Sequence, residues 1–223
     1  MAYIGSIITG FYLFTSAPGF HKREKWQHLT GWDYAHRGLH DNEHGIPENS
    51  MAAFQRAVDK GYGIELDVHL TADNQLVVFH DDTLTRMCGI NKKISGFLYS
   101  YLQQLRLLGT GEGIPLFKDV LALVDGKVPL IIELKVDGSN QNLLCPLVWQ
   151  LLSGYKGSYC IESFHPFVLQ WFKRHQPQVV RGQLSCNFFK ENPHCDIVLF
   201  LMSNLMTNFF THPDFIAYKY LDL

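Results

Sequence analysis

The chain has no CxxC pair, no charged tail and, beyond residue 30, no low-complexity stretch or linker-like segment. The first absence argues against a zinc site. The five cysteines, Cys88, Cys145, Cys160, Cys186 and Cys195, are scattered and odd in number, the pattern of thiols kept reduced rather than of a disulfide framework. Basic excess is also missing. Nineteen Lys and Arg against 21 Asp and Glu give a net charge of -2, so no bulk field draws in a polyanion, nucleic acid is not an expected partner, and any phosphate recognition must be local. Charge is absent altogether from Met1 to Phe20 and then arrives at once as HKREK, residues 21–25. A secretory signal carries its positive charge before its apolar run, not after it. The run is at the short end of what spans a bilayer, and Thr9, Ser16 and Pro18 weaken it. Charge just after it favours the cytoplasmic side. The expectation is an N-terminal anchor in residues 1–25, with membrane association through residues 2–20, and one domain from residue 26 to 223 on the cytoplasmic face.

What remains is a globular composition, 47% hydrophobic and 18% charged over 223 residues, enough for a real core. Segments of strand and helix character alternate. DYAH (33–36), IELDVHL (64–70), PLIIELK (129–135), YCIESF (159–164), VVRGQLS (179–185) and FIAYKYLDL (215–223) read as strands. Between them lie helical patterns: NSMAAFQRAVDKG, capped by Asn49 or Ser50 and stopped by Gly61, IPLFKDVLALVDG, LCPLVWQLLSGY, HPFVLQWFKRHQP and the strongly apolar DIVLFLMSNLMTNFF. LVVFH (76–80) is a further short strand, joined to IELDVHL by an ADNQ turn. The alternation implies parallel βαβ units, six in sequence, in a doubly wound sheet or an incomplete eight-stranded barrel. In either, functional residues collect at the C-terminal ends of strands.

Charge collects at those ends here. Glu65 and Asp67 are two apart on a strand and share a face. Carboxylates that close repel unless a cation lies between them, and Glu133 on another strand offers a third. An oxygen-only set suits Mg²⁺ or Ca²⁺ rather than zinc. Arg37 and Lys135 beside such a cation make sense if an anion completes the site, and phosphate fits a guanidinium fork, an ammonium point charge and a Lewis acid. His36 and His80, at two strand ends around the carboxylates, are the acid–base candidates. His69 shares the Asp67 face without an assigned role, His40 and His165 are weaker, and Asp81 and Asp82 are expected to start a turn or cap a helix.

In their order, AHRG (35–38), PENS (47–50), ELDVHLT (65–71), VVFHDDTLTR (77–86), IPLFKDVL (114–121), PLIIELK (129–135) and SFHP (163–166) resemble the glycerophosphodiester phosphodiesterase family. The resemblance implies an α/β fold, the (β/α)8 barrel of the phospholipase-C-like phosphodiesterases. It implies divalent-cation-dependent hydrolysis of glycerophosphodiesters to sn-glycerol 3-phosphate and an alcohol, in which a glycerol hydroxyl can attack phosphorus to give a cyclic phosphate that water opens. Carried over by position, His36 and His80 match the catalytic histidines, Glu65, Asp67 and Glu133 the ligands of Mg²⁺ or Ca²⁺, and Arg37 and Lys135 the phosphate contacts. Glu48 matches a residue of the substrate-binding polar network. The short stretch from Cys88 to Ile114 is similar to members without a large inserted cap. PENS stands where PENT is commoner. The chain stops at YLDL, where the family continues with two more strand–helix units, so the expected barrel lacks its last two units and has open edges. The lysophospholipase D and sphingomyelinase D enzymes share the scaffold and are the alternative, with a catalytically silent, membrane-associated fragment as the rival from another class.

Overall fold

A computed structural model of the chain describes residues 2–19, 23–190 and 196–219. Cys195, part of the HKREK stretch and the closing YLDL lie outside the described residues. The chain forms two compact units, one of residues 27–160 and the other of residues 1–26 with 161–223.

The 27–160 unit opens with β1 (Tyr34–Ala35) and α2 (Met51–Lys60), while α1 (Ala2–Ser16) belongs to the other unit. Ser50 caps α2 by accepting the Ala53 N–H at 3.2 Å, and Gly61 closes it in a left-handed conformation. This is the start and stop that the Ser and Gly positions imply. Ala53, Phe54 and Ala57 form its buried face. β2 (Gly63–Leu70) is buried along its whole length, because it pairs on both sides. It runs parallel to β1 and to β4 (Leu130–Leu134), and antiparallel to β3 (Leu76–Val78) across the 71–75 turn.

Between β3 and β4 come α3 (Thr85–Cys88), α4 (Tyr99–Leu102) and α5 (Phe117–Val124). The stretch from Cys88 to Ile114 is short yet carries its own core, in which Leu84, Met87, Ile94, Leu102, Leu107 and Ile114 pack on Val77 and Phe79. α6 (Gln141–Leu152) follows β4, and β5 (Tyr159–Ser163) crosses from one unit to the other.

In the second unit, α7 (Pro166–His175) leads to β6 (Val180–Ser185), which pairs parallel with β7 (Phe215–Tyr218). Gly182 lies opposite Phe215, and a Cβ there would stand 2.2 Å from the Phe215 ring. Asp214 is a buried anchor: Lys25 Nζ donates to both its oxygens at 2.9 Å, and the Arg181 N–H donates at 2.8 Å.

The expected single helix over DIVLFLMSNLMTNFF is two: α8 (Ile197–Ser203) and α9 (Asn208–Thr211). Leu205 takes a left-handed backbone at φ 58, the Asn204 side chain donates to the Phe200 carbonyl, and Ser203 Oγ accepts the Phe188 N–H. Polar side chains that compete for backbone groups end the helix there, despite the apolar content.

α1 (Ala2–Ser16) has 15 residues, about 22 Å at 1.5 Å per residue against a hydrocarbon core of about 30 Å. Among the described residues no helix is long and apolar enough to cross a membrane. The four described cysteines form no disulfide among the described residues. Strand and helix alternate as expected, and the six strands read as βαβ partners are present, with β3 as an antiparallel excursion from β2. The fold is α/β, of the expected strand–helix barrel class.

Candidate active site

All eight residues singled out above belong to the 27–160 unit. β2 and β4 pair with Asp67 directly opposite Glu133, and Glu65 lies two residues back on the same face. All three are buried, and one oxygen from each falls within 4.8 Å of the others. Asp67 is completely enclosed.

Two cations hold this negative charge in the fold. Lys135, just past the end of β4, places Nζ 2.7 Å from Glu133 Oε1 and 3.0 Å from Asp67 Oδ1. Arg37 works mainly through its backbone. Arg37 (φ 57) and Gly38 (φ 79) both take left-handed conformations after β1. That turn aims the Arg37 N–H at Glu65 Oε2, 2.9 Å away. Only glycine fits at 38, where a Cβ would stand 2.9 Å from Ala53 Cβ and 3.0 Å from the Ala53 carbonyl carbon.

The Arg37 side chain donates from Nη1 to Glu48 Oε1 at 2.8 Å. Its Nε is buried without a hydrogen-bond partner, 3.8 Å from Asp67 Oδ2. Buried donors are rarely left unpaired, so an N–H in this position suits an anionic ligand. Glu48 accepts from Arg37, Arg86 and Asn42, and so holds the Arg37 guanidinium in place.

The histidines stand at the rim. His36 follows β1 with its ring largely exposed and Nε2 3.9 Å from Glu65 Oε2. His80 follows β3, and its Nδ1 lies 2.7 Å from Asp81 Oδ1. A carboxylate only accepts, so Nδ1 carries the proton and a neutral ring presents Nε2 as an acceptor. His69 Nε2 meets the His80 carbonyl at 3.2 Å and must be the donor there. Asp81 thus does more than start a turn. It orients His80 and is itself gripped by Arg86.

The electrostatics follow from burial. Burial and the neighbouring Asp67 push the Glu133 carboxyl well above the usual range, against the pull of Lys135. Burial acts the same way on Asp67, but Lys135, His80 and the Asn49 amide outweigh it, and its value falls. Burial alone would lower Lys135, yet Glu133 and Asp67 raise it. His36 is lowered by partial burial and by the Arg37 charge, His80 by burial and the Lys135 charge. Burial takes His69 down to about 4, so it is neutral near pH 7.

Sequence reasoning gave three residues no part in the site, although it named Asn49 and Asp81 as cap or turn residues. Asn49 donates from Nδ2 to Asp67 Oδ2 at 2.8 Å. Arg86 and Asp81 complete the hydrogen bonding around Glu48 and His80. All three stand inside stretches quoted for the resemblance, PENS and VVFHDDTLTR, and that position was the available signal.

Comparisons with known proteins give the family and the fold. The model of the "Glycerophosphoryl diester phosphodiesterase family" matches residues 36–188. The chain is 36% identical over 165 residues to lysophospholipase D GDPD1 of Rattus norvegicus, covering 68% of this chain and 50% of that one. It is 40% identical over 163 residues to a glycerophosphodiester phosphodiesterase of Caldanaerobacter subterraneus subsp. tengcongensis, covering 67% and 65%. The chain thus spans about half the length of the mammalian curated relatives it matches. Among solved structures, a phosphodiesterase of Oleispira antarctica, in complex with the product sn-glycerol-3-phosphate, superposes with a TM-score of 0.66 at 20% identity, covering 87% of this chain and 94% of that one. At that identity the likeness speaks for the fold. With the family model spanning the carboxylate trio, both cations and both histidines, the chain belongs to the glycerophosphoryl diester phosphodiesterase family.

Proposed function

We propose that this chain carries the catalytic site of a metal-dependent glycerophosphodiester phosphodiesterase, releasing sn-glycerol 3-phosphate and an alcohol. The observation that carries the reading is the buried trio of Glu65, Asp67 and Glu133, with one oxygen of each within 4.8 Å of the others, flanked by Arg37 and Lys135. Lys135 bridges Glu133 and Asp67 while the Arg37 guanidinium is shared with Glu48, so the trio keeps negative charge that a divalent cation would offset. The donor set is all oxygen and fits Mg²⁺ or Ca²⁺. Bound there, the cation supplies Lewis-acid polarisation of a phosphoryl oxygen.

The chain's own residues do the rest. Arg37 Nε and the Lys135 ammonium bind and orient the phosphoryl group, while Glu48 keeps the Arg37 guanidinium in place. His80 accepts a proton at Nε2 while Asp81 holds Nδ1–H. His36, also at the rim, serves the opposite end of the displacement, so that one ring takes a proton from the attacking oxygen and the other gives one to the leaving oxygen.

Lysophospholipase D activity is the second reading, favoured by the naming of the mammalian relatives at 34–36% identity. Membrane contact belongs to it. Phe11, Leu13 and Phe14 of α1 are exposed, as befits a helix lying in an interface rather than across a bilayer.

The test is glycerol 3-phosphate release from glycerophosphocholine with Mg²⁺, with Ca²⁺ and with EDTA, and with Glu65→Ala as control. Cation-dependent release that disappears in the variant is the expected result. Release that survives both EDTA and Glu65→Ala would sink the metal-site reading, and choline release from lysophosphatidylcholine alone would favour the second.

A further inference from the structure

Arg86 belongs to none of the roles above, yet it makes the densest set of charged hydrogen bonds among the described residues near the site. It stands on α3, the one-turn helix that follows His80. Both edges of its guanidinium are occupied. Nη1 and Nη2 donate to Glu48 Oε2 and Oε1 at 2.8 and 2.7 Å, and Nε and Nη2 donate to Asp81 Oδ2 and Oδ1 at 2.8 and 2.9 Å. Glu48 in turn accepts Arg37 Nη1 at 2.8 Å, and Asp81 accepts His80 Nδ1 at 2.7 Å. Charges alternate along the chain of contacts: Arg37, Glu48, Arg86, Asp81, His80. Every link is short and charge-assisted.

We propose that Arg86 is a positioning residue that fixes the His80 ring and the Arg37 guanidinium relative to each other by clamping Asp81 and Glu48 on its two edges. The inference rests on the hydrolase reading, in which His80 moves a proton and Arg37 holds the phosphoryl group. Those two groups come from different strand ends, β3 and β1, with no hydrogen bond between them among the described residues. Arg86 is the member of the network that reaches the partners of both. A rotation of the His80 ring breaks the Asp81 bond, and a swing of Asp81 breaks the fork on Arg86. That fork holds Glu48 and, through it, Arg37. Lysine cannot substitute, because one ammonium has no two planar edges to present to two carboxylates. A residue that merely fastened the 79–116 loop would leave the ring and the guanidinium uncoupled.

The experiment reads coupling and catalysis separately, on the full chain. The ¹⁵N resonances of the His80 imidazole report its tautomer. Glu48→Gln does not touch His80, but the clamp makes it shift those resonances in the wild-type background and leave them unmoved in Arg86→Ala. On glycerophosphocholine with Mg²⁺, Arg86→Ala lowers kcat by about 10- to 100-fold, as loss of an orienting partner does. Arg86→Lys recovers little of it, and added guanidinium ion restores part. A His80 ring that ignores Glu48→Gln in both backgrounds, or an Arg86→Lys protein with wild-type kcat and only reduced thermal stability, would overturn the clamp. Wild-type protein without turnover on any diester would instead sink the hydrolase reading, while the His80 resonances would still decide whether the clamp exists.

Discussion

Replacing Glu133 by Gln should have opposite effects with and without a cation. Glu133 is buried beside Asp67, and its carboxyl is raised from 4.5 to about 7 even with Lys135 2.7 Å away. A group whose folded value lies above its unfolded one stabilises fully below about pH 4.5 and loses that contribution as pH climbs through about 7. At pH 8 the ionised side chain costs the metal-free fold up to about 3 kcal/mol. Glutamine cannot ionise and keeps an acceptor for Lys135, so the variant recovers part of that amount. In EDTA at pH 8, Glu133→Gln should melt higher, by roughly 2–4 °C for each kcal/mol in a chain of this size. The advantage should fade toward pH 4.5. A divalent cation at a hundred times its Kd adds about 2.7 kcal/mol to the wild type and far less to a variant that has lost one ligand charge, so the order of melting temperatures reverses. Thermal unfolding at pH 4.5, 6 and 8, with EDTA and with Mg²⁺, checks the whole pattern. A variant that melts below the wild type in EDTA at pH 8, or that gains as much from Mg²⁺, would refute the account of Glu133 as a ligand kept at the expense of stability.

Gly38→Ala combines a left-handed backbone with a Cβ against the Ala53 backbone. It should cost about 2–4 kcal/mol in urea unfolding and weaken phosphate binding by moving Arg37. A variant of unchanged stability would show that the turn tolerates a side chain. Asp214→Ala removes the carboxylate that Lys25 and the Arg181 N–H share and leaves the charge of Arg181, 1% exposed and 3.8 Å away, uncompensated, and should cost about 3–5 kcal/mol. A loss typical of a surface pair would count against the anchor. Burial raises the Glu48 carboxyl, but hydrogen bonds from Arg86 and Arg37 outweigh it and hold the value at about 2. Its folded value lies below its unfolded one, so its stabilisation is present above about pH 4.5 and fades as pH falls toward 2. Glu48→Gln should flatten that acid limb of a melting curve taken from pH 6 to 2, and an unaltered limb would place the acid sensitivity elsewhere.

The sequence made much of this legible because β-strand chemistry is local. Two carboxylates at i and i+2, apolar residues between them and Gly at the turn after His36 and Arg37 are patterns a short window contains. Glu133 was found the same way, at the end of its own strand, and the register of β2 against β4 then brought it opposite Asp67. What stayed hidden was non-local. Arg86 meets Glu48 across 38 positions, and no periodicity announces a guanidinium edge. Asp81 looked like turn chemistry because it sits in the bend between β3 and α3. The break between α8 and α9 was obscured by apolar content, which reports burial and says little about where Ser203 and Asn204 divert the backbone.

The strand pairing also sets an order of assembly. β2 and β3 form a hairpin closed by a short turn, so Glu65, Asp67 and His80 can be brought near one another early and locally. The third carboxylate arrives only when β4 docks beside β2, after a loop of about sixty residues has closed. A cation therefore has no complete seat until the slow, long-range pairing is made. Binding energy gained after the rate-limiting step holds the native state without hastening its formation. Mg²⁺ should slow unfolding in stopped-flow experiments and leave the refolding rate unchanged. A refolding rate that climbs with Mg²⁺ would mean that the hairpin alone already captures the ion.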